Sequence, residues 1–244
     1  MHMFDSYFIC TSPRSGSTLL CTLLEDCRAG HPASYFHRPE LTAWALGLGL
    51  PADTARADLF ETAKATSKGN RPICGIRLQQ GSLAFFCDQL ALEKPDHDKD
   101  QSRITAIFGR TAFIYLNRTD KVEQAVSLVR AEQSGLWHRN ADGSDLERTG
   151  TPQDPNYDAE AIKTRQESLT QMDQNWEDWF AENGISPLRV SYSALASDVI
   201  GVVQGILSEL GLPTAPAQAL SARTVRLADH VNADWIARFR AQTR

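Results

Sequence analysis

Ser12-Pro13-Arg14-Ser15-Gly16-Ser17-Thr18 separates a short apolar run, Tyr7-Phe8-Ile9-Cys10, from Leu19, Leu20, Leu23 and Leu24 at helical spacing. The hydrophobic period changes from strand-like to helical across this stretch, which predicts a strand, a tight loop and a helix N-terminus. Unpaired N–H groups and the positive end of the helix dipole favour an anion there. Gly16 lets the backbone approach that anion, the hydroxyls of Ser15, Ser17 and Thr18 add donors, and Arg14 adds a permanent charge. An ordinary capped strand-to-helix turn is also rich in Ser and Thr. Arg14 ahead of Ser-Gly-Ser-Thr tips the reading toward phosphate.

The loop lacks the first glycine and the lysine of a Walker A motif. A P-loop kinase would also end a later strand on an Asp for Mg²⁺. The best later strand, Ala112-Phe113-Ile114-Tyr115-Leu116, ends on Asn117-Arg118 instead. An arginine at that place argues for a second anion held without a metal. Nine residues on, Ser127 falls in the second turn of the following helix, so a guanidinium and a hydroxyl converge near the carboxyl edge of the sheet. Alternatively, Asp120 pairs with Arg118 and Ser127 only packs. Two separated anion positions suit a nucleotide phosphorylated at both ends of its ribose.

Strand-like runs near 6–11, 72–78, 111–117 and 187–191 alternate with helical periodicity over 17–28, 52–67, 82–93, 119–134, 158–183, 198–211 and 230–242. The alternation predicts an α/β fold with a central parallel sheet flanked by helices, built as one domain over 1–244. The charged stretch 93–103 reads as a surface loop. The stretch 138–157, rich in Gly, Pro, Asp and Asn, reads as a lid or acceptor-binding loop, or as a plain excursion.

With these motifs in place, the chain resembles the sulfotransferases that use 3′-phosphoadenosine 5′-phosphosulfate (PAPS), in particular the bacterial trehalose 2-sulfotransferase and lipopolysaccharide sulfotransferase family. The shared features run in family order: the loop 13–18, Gly75-Ile76-Arg77-Leu78 (where relatives usually carry Lys), Asn117 through Ser127, Arg130-Ala131 with Trp137, Trp176 with Trp179-Phe180, and Arg226-x-Ala228-Asp229 followed by Trp235. The resemblance implies a P-loop-like fold in which Arg14, Ser15, Gly16, Ser17 and Thr18 hold the 5′-phosphosulfate. Arg118 and Ser127 would hold the 3′-phosphate, Arg226 would fold over the nucleotide, and no metal would be needed. Arg77 would meet the sulfuryl group, or form a structural ion pair. Trp137 would stack on a sugar or adenine.

Relatives carry a Glu in a G-x-P-x-E-[FY]-F segment that takes the proton from the sugar hydroxyl. Here the segment reads Gly30-His31-Pro32-Ala33-Ser34-Tyr35-Phe36, so Ser34 stands at the Glu position. A serine is no base at neutral pH without activation. His37 and Glu40 are the candidates nearby, with His31 behind them. A carbohydrate or glycolipid acceptor follows from the resemblance; trehalose itself does not carry across this substitution. Relatives of this kind often dimerise, which leaves a homodimer open.

Composition narrows the classes further. The 244-residue chain carries a net charge of −5, which disfavours non-specific nucleic-acid binding. No apolar stretch reaches the about 20 residues of a transmembrane helix, and Met1-His2-Met3-Phe4-Asp5 is no signal peptide. Five cysteines without C-x-x-C spacing read as reduced thiols of a cytoplasmic protein, not a metal site. Two rivals stay open: a kinase using ATP and Mg²⁺, and a sulfotransferase-like nucleotide-binding protein without catalysis.

Overall fold

Tyr7, Phe8, Ile9 and Cys10 are all fully buried, because the strand they form has apolar layers on both faces. The structure, a computed structural model, describes residues 3–139, 145–151, 153–220 and 230–243. In chain order these form β1 (Ser6–Thr11), α1 (Ser17–Asp26), α2 (Leu41–Gly47), α3 (Arg56–Lys68), β2 (Cys74–Gln79), α4 (Gln80–Glu93) and α5 (Asp100–Phe108). Then come β3 (Thr111–Asn117), α6 (Lys121–Ser134), β4 (Leu136–Arg139), β5 (Asp145–Arg148) and α7 (Ala159–Asn183). The chain continues through β6 (Leu188–Ser191), α8 (Tyr192–Ser197), α9 (Val199–Glu209), a 3-10 turn at Ala215–Ala219, and α10 (His230–Gln242).

The main sheet has the order β2-β1-β3-β6, and every pairing in it is parallel. Alternation along β1 splits its side chains between two cores. Phe8 and Cys10 join an aromatic layer with Phe36, Trp44, Phe60, Phe86, Phe108 and Trp176. Tyr7 and Ile9 join an aliphatic layer with Leu20, Leu24, Leu195, Val203 and Leu207. Burial on both faces is why these strands read as continuous apolar runs.

Register decides where the site lies. Thr11 stands level with Gln79 on one side and Leu116 on the other, so β1, β2 and β3 end at one edge. Strand order reverses at β1, and in open α/β sheets the crevice beyond such a carboxyl end is the binding position.

The strand and helix pattern expected from the sequence is present, with local departures that include α8 and the 3-10 turn, short elements outside the expected spans. The presumed surface loop 93–103 contains the start of α5, whose first turn is polar while Ile104, Ile107 and Phe108 pack inward. Its Asp100 carboxylate accepts from Trp179 Nε1 (2.9 Å) and Arg103 Nη1 (2.9 Å), so the polar turn is internally paired. The stretch 138–157 is not wholly irregular, because β4 and β5 pair antiparallel with two register shifts. The seven-residue α2 is too short to carry a readable period.

Candidate functional site

The loop after β1 leaves the sheet through two left-handed residues, Arg14 (φ 61°) and Gly16 (φ 88°). Gly16 precedes α1 and no side chain caps that helix, so the first-turn N–H groups keep their capacity for an anion. A Cβ at Gly16 would stand 2.5 Å from the Tyr192 ring, so both torsion and space require glycine. The three loop hydroxyls divide. Ser15 is fully buried and bonds Thr11 Oγ1, which itself donates to Leu116 O (2.9 Å); its side chain therefore serves the sheet, and its backbone N–H is what it offers outward. Thr18 Oγ1 accepts from Arg77 Nη1 (2.9 Å). Ser17 Oγ has no partner among the described residues.

Arg14 does not fold back over its own loop. Its Nε donates to Ser127 Oγ on α6 (3.0 Å), and its Nη1 donates to Trp137 O on β4. Arg118 follows β3 and is nearly enclosed. It pairs with Glu123 (2.9 Å) and lies 4.6 Å from the Tyr192 ring centre, while its Nε is buried without a hydrogen-bond partner among the described residues. The alternative pairing with Asp120 is not formed. Asp120 caps α6 by accepting from Glu123 N (3.0 Å) and pairs with Arg240 on α10.

Arg77, near the end of β2, joins the loop to the segment that follows α1. Its Nε donates to Ser34 Oγ (2.7 Å), and Ala33 forms a parallel bridge with Ile76. Its side-chain partners are these two hydroxyls, and no ion pair of Arg77 is formed among the described residues. Phe36 anchors the segment in the aromatic layer, 4.8 Å from Trp44 and 5.0 Å from Phe86 between ring centres. His37 and Glu40 beyond it are exposed, whereas His31 is drawn away to Glu25 (2.8 Å). Tyr35 is no base, since burial pushes its phenol up to about 12 and its hydroxyl donates to His31 O (2.7 Å). Burial likewise raises the thiols of Cys21 and Cys74 to about 11, which leaves them protonated at neutral pH.

A family model described as Stf0 sulphotransferase matches residues 6–242, spanning every element of this edge. The chain belongs to the Stf0 sulphotransferase family. Two curated relatives carry the name trehalose 2-sulfotransferase. The protein of Mycobacterium tuberculosis (strain ATCC 35801 / TMC 107 / Erdman) is 27% identical, with 97% of this chain and 94% of the relative covered. That of Mycolicibacterium smegmatis (strain ATCC 700084 / mc(2)155) is also 27% identical, over 96% of this chain and 94% of the relative.

The fold of this Stf0 chain distributes the residues singled out from sequence along the edge. Arg14 bonds Ser127, Arg77 separately bonds Ser34 and Thr18, and Arg118 lies against the Tyr192 ring that also faces Gly16. Trp137 borders the group, its indole N–H donating to Thr149 Oγ1 (3.0 Å). His37 and Glu40 stand at the exposed margin, and Arg226 lies outside the described residues. Trp176 and Trp179 are core, as expected, though Trp176 also donates to Thr11 O (3.1 Å).

Sequence reasoning missed Tyr192, Lys121, Gln124 and Asp173. One signal was available in this Stf0 chain: Lys121, Gln124 and Ser127 recur every third residue along α6, and Gln124 is fully buried.

Proposed function

We propose that this chain is a PAPS-dependent sulfotransferase that moves a sulfuryl group onto a hydroxyl of a carbohydrate or glycolipid, as a single cytoplasmic domain without a metal. The observation that carries this reading is the 3.0 Å bond from Arg14 to Ser127, which joins two anion positions 113 residues apart in sequence. A donor bearing phosphate at both ends of one ribose matches two such positions held at a fixed spacing. The donor set fits it: a helix start without a side-chain cap, a Gly16 cradle, and a Ser17 hydroxyl and Arg118 Nε that have no partner among the described residues.

In the reaction, a bond forms from the acceptor oxygen to sulfur as the sulfur–oxygen bond to the 5′-phosphate breaks. Charge grows on the leaving phosphate, where the N–H groups at the start of α1 and the Arg14 charge stabilise it most in the transition state. Arg77, paired with hydroxyls alone among the described residues, would offer its positive charge to the moving group. The acceptor proton passes to His37 or Glu40. Little covalent help is needed beyond in-line placement.

One observation favours a second reading. Ser34 replaces the relatives' Glu, and both substitute bases are exposed, which suits a binding protein without turnover. Titration with 3′,5′-diphosphoadenosine followed by transfer assays from PAPS to a sugar panel separates the cases. Tight binding with transfer supports the enzyme, tight binding without transfer supports the inactive module, and a preference for ATP-Mg²⁺ points to a kinase.

A further inference from the structure

Behind the Arg14–Ser127 bond runs a second connection between the same two positions. Asp173, on α7, accepts from Ser12 Oγ through Oδ1 (3.4 Å) and meets Lys121 Nζ through Oδ2 (2.5 Å). Lys121 Nζ also donates to Arg118 O (2.6 Å) and to Gln124 Oε1 (2.9 Å), and Gln124 Nε2 donates to Pro13 O (2.7 Å). The bonds close a ring from Ser12 through Asp173, Lys121 and Gln124 to Pro13. It grips the loop entrance at two consecutive residues and the end of β3 at one.

An ammonium has three protons, and Lys121 has spent all of them inside the protein. It therefore has none left for a ligand, although it sits at the same edge as Arg118. Both members of the ion pair are largely enclosed, with side-chain exposures of 15% for Lys121 and 20% for Asp173. One helical turn along α7, Trp176 holds Thr11 O, so the same helix fastens the last residue of β1. Burial and the Asp173 carboxylate together push the Tyr115 phenol well up, so it stays protonated beside the pair.

We infer that Lys121 and Asp173 are positioning residues that set the distance between the loop 12–18 and Arg118, and so select a nucleotide phosphorylated at both ends. The inference rests on the donor reading above. Its basis is preorganisation: a two-ended ligand gains from a fixed spacing, whereas a ligand using one end does not.

Calorimetric titration of the full chain with 3′,5′-diphosphoadenosine, adenosine 5′-monophosphate and adenosine 3′-monophosphate tests it. Asp173→Asn keeps the shape and an acceptor for Ser12 but loses the charge pair. It should weaken the two-ended ligand by about tenfold and each monophosphate by less than about threefold. Lys121→Met leaves the Asp173 carboxylate unpaired beside the loop and should weaken all three further by repulsion. The double variant Lys121→Met/Asp173→Asn should then bind the two-ended ligand better than Lys121→Met alone, a sign that simple loss of packing does not produce.

Lower melting temperatures with unchanged affinities would make the pair merely structural and overturn the inference. Weakening of the 3′-monophosphate by Lys121→Met alone, with Asp173→Asn tightening it, would make Lys121 a direct ligand and overturn it too. A wild type that ignores 3′,5′-diphosphoadenosine but takes ATP-Mg²⁺ removes the donor reading itself, before any variant is compared.

Discussion

The loop 12–18 and the segment 31–40 flank the same helix, α1, yet their polar groups are satisfied in opposite ways. In the loop, Ser12, Pro13, Arg14, Ser15 and Thr18 each bond another element: α7, α6, β1 or β2. In the segment, Ser34 is held by Arg77 and Phe36 by the aromatic layer, after which His37 and Glu40 turn out to solvent. Groups cross-linked within the protein keep their geometry when a ligand arrives. Groups on an anchored but open segment can change identity without disturbing what lies behind them. On the proposed function, the loop would be the donor half, constrained by packing, and the segment the acceptor half, open to variation where Ser34 stands.

If that contrast holds, acceptor-side changes act on turnover and donor-side changes act on nucleotide affinity. The largest effect should come from the base: His37→Ala or Glu40→Gln lowers kcat by roughly 10²–10⁴-fold, with the Kd for 3′,5′-diphosphoadenosine unchanged. Next, Arg14→Ala should lower kcat by roughly 10²–10³-fold. Because Arg14 also holds Ser127, it should weaken 3′-phosphorylated nucleotides as well; a pure kcat effect would break the link between the two anion positions.

Arg118→Ala should weaken 3′,5′-diphosphoadenosine by more than about tenfold, from a lost charge-assisted bond of about 1.5–3 kcal/mol, and leave adenosine 5′-monophosphate nearly unaffected. Equal weakening of both ligands would reduce Arg118 to a support for Tyr192 and Glu123. Ser34→Ala should be the mildest change, shifting kcat by less than about threefold, since Ser34 Oγ only accepts a hydrogen bond from Arg77 Nε and takes no proton from the acceptor. Ser34→Glu should form an ion pair with Arg77, visible as a higher melting temperature. Increased transfer to trehalose in that variant would tie acceptor choice to this one position.

Particular residues show why the sequence was legible in places. The run Tyr7–Cys10 and the leucines after Gly16 announce their periods because a parallel strand and its following helix bury whole faces. Arg118 and Ser127 were legible because both lie within a single strand–helix unit. Asp173 was not, since it occupies a long helix with many exposed polar neighbours, and only the packing of α7 against the sheet brings it to Lys121 and Ser12. Tyr192 was hidden for the same reason, because its partners Gly16 and Arg118 come from β1 and β3. The start of α5 escaped because Asp100 and Arg103 pair with each other and with Trp179, a compensation that composition cannot reveal.

The central place of β1 also has a consequence for how the protein is made. Its partners are β2 and β3, and Ser6 meets Thr111 across a separation of 105 residues. Translation at about 5–20 residues per second leaves β1 waiting roughly 5–20 s for β3 to emerge. Throughout that interval the β3-facing edge of the apolar strand Tyr7-Phe8-Ile9-Cys10 stays open, even once β2 has emerged, and such an edge pairs with strands of other chains. Pairing between strands so distant in sequence is intrinsically slow to form. The yield of folded protein should therefore depend on growth temperature and on chaperones that shield an N-terminus during synthesis, and a nascent chain ending before Asn117 cannot yet assemble the edge where the loop and Arg118 meet.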